Sequence, residues 1–512
     1  MVSRTSRGLK NSSVALIFYV LTILINFISR KVFLEKLGED ILGLNTTLVN
    51  ILQFLNLAEL GISTAVGFTL YEPIKNDDRE QMSEIVSLQG KLYRRIAVGI
   101  LGGAVIVMVF FPWIFKKITL PLWYTYASFI TFLFGALIGY FFNYKQILLS
   151  ASQQDFKIQY SFRSINLIKV VAQIIVLETV KNGYVWWLIL EAGFSVIASL
   201  SLHFMTIRTF PWLKNSDKSF KELKLKYHGF TLKIKQLFLH KIGSFVLTQT
   251  SPLIIYSYSS LSLVTLYGNY MVLITGIQQL VLAVFNSMTA GIGNLVVEGN
   301  DENIWKVFKE LFSVRIFIAS ILCFILFKTA PSFISLWIGK EYLLDQTTLI
   351  LLLLVLFINI SRYVVEAFIN AYGLYHDILA PLIEAALNIG LSILLGYFYG
   401  LNGIILGVLI SLLIIVVIWK PYFLFSRVMS KETQVYFKLY FKNIILIVMG
   451  LIISNITISI LYNKAILSWG DLMFYIFNIG CVTLFFVGGL LVIFKCGLND
   501  FLSRIFKLVT KK

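Results

Sequence analysis

Charge is scarce in this chain. Only 14% of its 512 residues are Asp, Glu, Lys or Arg, whereas a soluble domain carries about a quarter. A chain so poor in charge cannot give a soluble globule its polar surface. Three cysteines, Cys323, Cys481 and Cys496, stand far apart. None has metal-ligand spacing, and no disulfide framework is implied. Four scattered histidines offer no His-based metal site. There is no phosphate-cradling Walker loop and no nucleophile elbow. The longest polar stretch, 207–237, is too short for a catalytic domain. Asn76-Asp77-Asp78 lies in a short loop without acidic partners and reads as a loop cap rather than a sugar-nucleotide site.

What is abundant is apolar. Hydrophobic residues make up 58% and the mean hydropathy is +0.82. The reading is an all-α polytopic membrane protein of about 14 transmembrane helices, each of about 20 residues. Spans are expected near 13–34, 41–69, 94–115, 124–149, 162–181, 184–206, 238–259, 263–291, 308–328, 346–371, 376–398, 401–424, 442–462 and 470–494. The first has Arg4, Arg7 and Lys10 before it and no small-residue cleavage site after it, so it reads as a retained helix.

Lys and Arg set the orientation. With a cytoplasmic N-terminus, inner segments hold 34 basic residues and outer loops 9; Arg362, inside a span, completes the 44. Both termini are therefore expected in the cytoplasm. The net charge of +18 becomes a topology signal whose partner is anionic lipid rather than nucleic acid.

Two halves echo each other. Gly43, Gln53 and Thr64 recur as Gly268, Gln278 and Thr289, each 225 residues later. The expected organisation is a six-helix bundle 1–206, a basic cytoplasmic linker 207–237, a second bundle 238–424, and 425–512 as two additional helices with a cytoplasmic tail. An even-numbered repeat enters from the same side twice, and substrate sites of such transporters lie between the halves.

Polar stripes run along equivalent helices. Thr22, Asn26 and Arg30 share one face of the first, as do Thr46, Asn50, Gln53, Asn56, Glu59 and Ser63 of the second. The seventh carries Ser244, Thr248, Gln249 and Thr250; the eighth carries Thr275, Gln279 and Asn286. Polar faces avoid lipid, so they line either protein or water. Four such stripes favour a hydrated cavity over helix–helix hydrogen bonding. Arg30 continues its stripe, whereas Arg30 and Lys31 together could also reach the outer headgroups. Glu59 either closes its stripe or serves as a cap or partner of an inner-loop cation. Arg362 and Glu366, four apart, read as an intrahelical pair. Glu178, Glu191, Glu384 and Lys169 read as buried structural partners, and Lys241 as an inner anchor or a ligand contact. Basic cavity groups point to an anionic cargo.

Several motifs, in order, resemble the Wzx-type polysaccharide-unit (O-antigen and capsule) flippases of the multidrug/oligosaccharidyl-lipid/polysaccharide exporter superfamily. They include Leu42-Gly43-Leu44-Asn45, Leu55-Asn56-Leu57-Ala58-Glu59-Leu60-Gly61, Leu70-Tyr71-Glu72-Pro73, His240-Lys241-Ile242-Gly243, Leu266-Tyr267-Gly268-Asn269-Tyr270, Leu336-Trp337-Ile338-Gly339 and Gly403-Ile404-Ile405-Leu406-Gly407. The resemblance covers nearly the whole chain. It implies a MATE-like fold with two pseudo-symmetric bundles around a V-shaped cavity, in the bacterial cytoplasmic (inner) membrane. It also implies an undecaprenyl-diphosphate-linked glycan flipped from the inner to the outer leaflet, with polysaccharide polymerase and chain-length regulator as partners. Arg30 falls where related lipid-linked precursor flippases place a diphosphate-binding arginine. Relatives carry Thr-Asp in the seventh helix where this chain has Thr250-Ser251-Pro252, so any role of that Asp must be met otherwise.

The expected substrate-binding residues are Arg30, Lys31, Asn26, Asn50, Gln53, Glu59, Lys241, Gln249, Asn269 and Gln278. No catalytic residue, metal or cofactor is expected. Coupling to membrane potential, H+ or Na+ stays open. A MATE-type drug/cation antiporter, or a membrane polymerase or ligase acting on the same lipid-linked sugar, are the alternatives.

Overall fold

The computed structural model describes residues 4–510 apart from 60, 119, 228–233, 235–237, 239–241, 243–244, 247–248, 287–288, 375–376, 378, 430 and 463. Among the described residues there are helices and no strands, as an all-helical membrane protein requires. Eleven helical runs among them are long and apolar enough to cross a membrane. One of these, 379–427, is a hairpin of two spans. Residues 39–76 and the stretch ending at Tyr258 supply shorter, interrupted ones. The chain is a multi-pass membrane protein. It divides into two compact units, 1–265 and 266–512.

In the first unit, α1 (Arg4–Leu37) is followed by α2 (Glu39–Leu55) and α3 (Ile62–Asn76). The expected uninterrupted helix 41–69 is thus broken. A 3-10 turn spans Asn56–Glu59, and Gly61 takes φ +88°, a left-handed conformation open to a residue without Cβ. Next, α4 (Arg79–Val109) begins on the side chain of Asp78, which accepts from Gln81 N at 2.9 Å. It starts earlier than its apolar stretch because the charged turns 79–95 continue the helix. After α5 (Leu122–Phe142), the turn Asp155–Ile158 and a π-turn at Gln159–Arg163 lead into α6 (Ser164–Thr179) and α7 (Gly183–Thr209). Phe33, Ile41, Leu177, Tyr184 and Leu188 pack between them.

The first part of the linker is a strap fastened to α4. Its short helix α8 (Phe220–Lys226) starts on a capping box of Ser219 and Glu222. Ser216 N donates to Ser87 Oγ at 2.8 Å, and Arg95 lies 3.8 Å over the Phe220 ring. Glu84, 2% exposed, accepts from Lys218, from Lys226 at 2.7 Å and from the Tyr227 hydroxyl at 2.7 Å. That hydrogen bond to Glu84 holds the Lys218 ammonium above its ordinary range. Burial, then Glu84, pushes the Tyr227 phenol up. The unit ends with α9 (Ser251–Tyr258) and the first turn of α10 (Leu261–Asn286).

The second unit repeats the order. After α11 (Thr289–Glu298), α12 (Asp301–Trp337) begins on Asn300, which accepts from Asn303 N at 3.0 Å. This cap stands 222 residues after Asp78, its counterpart on α4. Then come α13 (Gln346–Ser361), α14 (Tyr363–Ala371) and α15 (Leu379–Leu412). α15 reverses at Gly400, φ +56°, between the two spans expected there. Its legs meet closely: Ser392 Oγ donates to Ile404 O at 3.0 Å, and a side chain at Gly403 would run into the Leu395 carbonyl. The core is aromatic. Phe308 packs against Phe368 at 5.2 Å and Phe425 at 5.3 Å, and Phe312 packs against Tyr436 at 5.3 Å. The last pair, α16 (Thr433–Leu461) and α17 (Trp469–Ile493), pack together, and α18 (Leu498–Thr510) closes the chain.

Candidate functional site

The polar stripe of α1 is not uniform in its surroundings. Thr22 donates to its own helix at Phe18 O, 2.7 Å away, and Asn26 is exposed. Arg30 is half-buried, with Nη2 3.4 Å from Thr265 O; Thr265 in turn donates to Glu39 O at 2.8 Å. Lys31 faces away from protein and pairs only loosely with Glu35, at 3.8 Å.

On α2, Thr46 and Asn50 spend their donors on their own helix, at Leu42 O (2.8 Å) and Thr46 O (2.7 Å). Gln53 is exposed. Past the break, the stripe turns into a pocket of about 460 Å³ inside the first unit. Asn56, Glu59 and Ser63 enter it from the broken helix, Gln89 and Tyr93 from α4, and Tyr140 from α5. Tyr93 donates to Glu59 Oε1 at 2.9 Å and Tyr140 donates to Glu59 Oε2 at 2.8 Å. Tyr140 also lies 3.3 Å from Asn56 Oδ1, and Ser63 shares a 2.7 Å hydrogen bond with Tyr93. Among the described residues, the partners of Glu59 are hydroxyls, where a cap or an inner-loop cation was one expectation. Of the expected site residues that are described, Glu59 is the one lining this pocket.

The other expected residues are dispersed. Gln249 is half-buried in the first unit; Asn269 is buried and Gln278 half-buried on α10 in the second. Lys241 lies outside the described residues.

The second unit contains a charged cluster at the junction of α13 and α14. Arg362 binds Glu366, with Nε 2.8 Å from Oε1, as the four-residue spacing implied. The cluster is larger than that pair. Lys420 reaches the same Glu366 oxygen at 2.5 Å, and Glu384 lies 3.7 Å from Arg362. In the first unit Lys169 pairs with Glu191 at 2.7 Å and Lys36 with Glu178 at 2.8 Å.

One residue escaped sequence reasoning. Arg315 counted only as an inner-side cation, yet it is 2% exposed on α12. Its guanidinium sits 3.9 Å from the Phe285 ring centroid and 5.0 Å from that of Tyr363, a cation–π sandwich. The signal was present: a single cation inside the apolar run Val314-Arg315-Ile316-Phe317.

No family model matches the chain, and no curated protein matches it by sequence. Solved structures do match. The lipid II flippase MurJ in an inward closed conformation aligns with a TM-score of 0.64 and 14% identity, over 93% of this chain and 99% of that one. An inward-facing multidrug resistance MATE family transporter of the MOP superfamily aligns with 0.59 and 12%, over 81% and 98%. This chain has the fold of the MOP superfamily transporters. A MOP superfamily transporter from Pyrococcus furiosus, described as having a binding pocket of reversed polarity, matches less well, with a TM-score of 0.52 at 12% identity over 82% and 95%. On the MOP fold, the broken helix 39–76 and the hairpin 379–412 set the positions of Glu59 and of Glu384.

Proposed function

We propose that this chain is a flippase, not an enzyme. Its cargo is a polyprenyl-diphosphate-linked oligosaccharide, moved from the inner to the outer leaflet of a bacterial cytoplasmic membrane by alternating access, for O-antigen, capsule or exopolysaccharide assembly. The observation that carries this reading is coverage. The lipid II flippase spans 93% of this chain and the MATE transporter 81%, a surplus on the scale of one helical pair such as 433–493. The motif resemblance to polysaccharide-unit flippases supports the same cargo class.

In this reading Arg30 contacts the diphosphate, because a planar guanidinium offers paired donors to phosphate oxygens. Lys31 and Lys241 add positive charge. Asn26, Asn50, Gln53, Gln249, Asn269 and Gln278 provide amides for sugar hydroxyls. The lipid tail stays in the bilayer, so only the head crosses. With the cytoplasm negative, outward movement of each uncompensated negative charge is favoured by about 2.3 kcal/mol per 100 mV.

The alternative, a MATE-type antiporter of drugs against cations, draws on the MATE neighbours and on Glu59, an acid in a polar pocket. A leaflet-resolved assay in a deletion strain separates them. The flippase reading expects the lipid-linked unit to accumulate on the inner leaflet. Accumulation of unpolymerised units on the outer leaflet would point to a polymerase or ligase, and changed drug resistance with normal surface polymer would point to the antiporter.

A further inference from the structure

We propose that the pocket around Glu59 binds one monovalent metal cation, held by the Glu59 carboxylate and the amide oxygens of Gln89 and Asn143. All three side chains line the same space in the first unit. Gln89 Oε1 and Asn143 Oδ1 are buried atoms without a hydrogen-bond partner, and the Gln89 side chain is only 1% exposed. A buried acceptor left unsatisfied bears the full desolvation penalty of its group. Two such oxygens beside one carboxylate form a set of acceptors lacking a positive partner.

The donors already present do not fill that set. Each oxygen of Glu59 accepts one hydroxyl, from Tyr93 or from Tyr140. An ionised carboxylate has about four lone-pair positions, so half remain.

Charge fixes the valence. The ionisable groups other than tyrosine that line the pocket are Glu59, Asp155 and Arg163. Asp155 accepts from Ser150 Oγ at 2.6 Å. Two acids and one arginine leave a single negative charge, which one monovalent ion balances. Oxygen-only lining suits a hard cation, whereas divalent ions gather several carboxylates. Among the described residues no group of three His, Cys, Asp or Glu side chains could hold a metal, which disfavours a divalent or transition metal. A space of about 460 Å³ also admits waters to complete the coordination.

The site does not depend on the identity of the cargo, so a failed flipping assay leaves it standing. The test is thermal unfolding of the purified full-length chain in detergent. NaCl or KCl is titrated against choline chloride at constant ionic strength and pH. The expected result is a saturable rise in Tm with at least one of the two metal ions and none with choline. Glu59→Gln should abolish it. Because that variant also perturbs two tyrosine hydrogen bonds, Gln89→Leu is the second arm. It removes an unpartnered oxygen, so its Tm in choline should equal or exceed that of the wild type, while half-saturation moves at least tenfold higher. No response to either ion, equal responses in wild type and both variants, or a response that follows pH alone would each overturn the proposal.

Discussion

In residues 1–265 the carboxylate of Glu59 is met by two tyrosine hydroxyls; in residues 266–512 the carboxylate of Glu366 is met by Arg362 and Lys420. Both are carboxylates in the apolar interior of a membrane protein, where an unpaired charge is costly. The second cluster contains Arg362 and Lys420 against Glu366 and Glu384, and its charges cancel within the protein. The first is satisfied by neutral donors and keeps its charge, with unpartnered amide oxygens beside it. A closed ion cluster fixes helices in place. A carboxylate bound by hydroxyls can exchange a counter-ion without dismantling the fold.

The largest effect should come from opening the closed cluster. Glu366→Gln leaves Arg362 and Lys420 facing each other with Glu384 as the remaining acid. We expect a loss of about 3 kcal/mol, read as a fall in Tm and in the folded fraction recovered in detergent. An unchanged Tm would show that the contrast between the units is wrong.

A smaller effect is expected at the other carboxylate. Tyr140→Phe removes one charge-assisted donor to Glu59 while keeping the ring, at a cost of about 2 kcal/mol. If the hydroxyls were incidental, the variant would be as stable as the wild type.

Arg315 sharpens the comparison with the opposite sign. It is a buried cation held by ring faces, with Nη1 lacking a hydrogen-bond partner. Arg315→Met should be neutral or stabilising by about 1 kcal/mol, because an apolar side chain of similar length avoids the desolvation of the guanidinium. Destabilisation beyond 2 kcal/mol would mean that the aromatic sandwich outweighs that penalty.

The strap should respond least. Lys218 has a folded pKa above its ordinary value of 10.5 because it binds Glu84. A raised value means that the contribution is fully present below the unfolded pKa and fades as pH rises through the folded one. Limited proteolysis of 212–227 should therefore be constant from neutral pH to about pH 9 and faster only beyond the lysine range. Glu84→Gln should expose the same segment at neutral pH. Release already at pH 8 would contradict the assignment.

Much of this was legible beforehand. Long apolar runs place the spans, because lipid tolerates little else, and 346–371 is found as read. The pair Arg362–Glu366 follows from four-residue spacing alone. The break at 56–61 was missed, because periodicity continues across it and the deciding fact is the φ of Gly61. The environment of Glu59 was missed for a related reason. Its partners Tyr93 and Tyr140 are 34 and 81 residues away, and no local pattern announces a long-range hydroxyl. Arg315 was misassigned because charge tallies count cations without asking which are buried. The lysines of 207–237 looked like a free polybasic segment, whereas Lys218 and Lys226 converge on Glu84, an acid hidden in the turns before the apolar part of α4.

The measurement that bears most directly on the flippase reading is flipping of a polyprenyl-diphosphate-linked oligosaccharide in proteoliposomes, with wild type, Arg30→Ala and Arg30→Lys compared at equal protein content. The account predicts transfer by the wild type, none by the alanine variant and a partial rate with lysine. Full activity of Arg30→Ala, or no transfer of this cargo by a well-folded wild type, would contradict it.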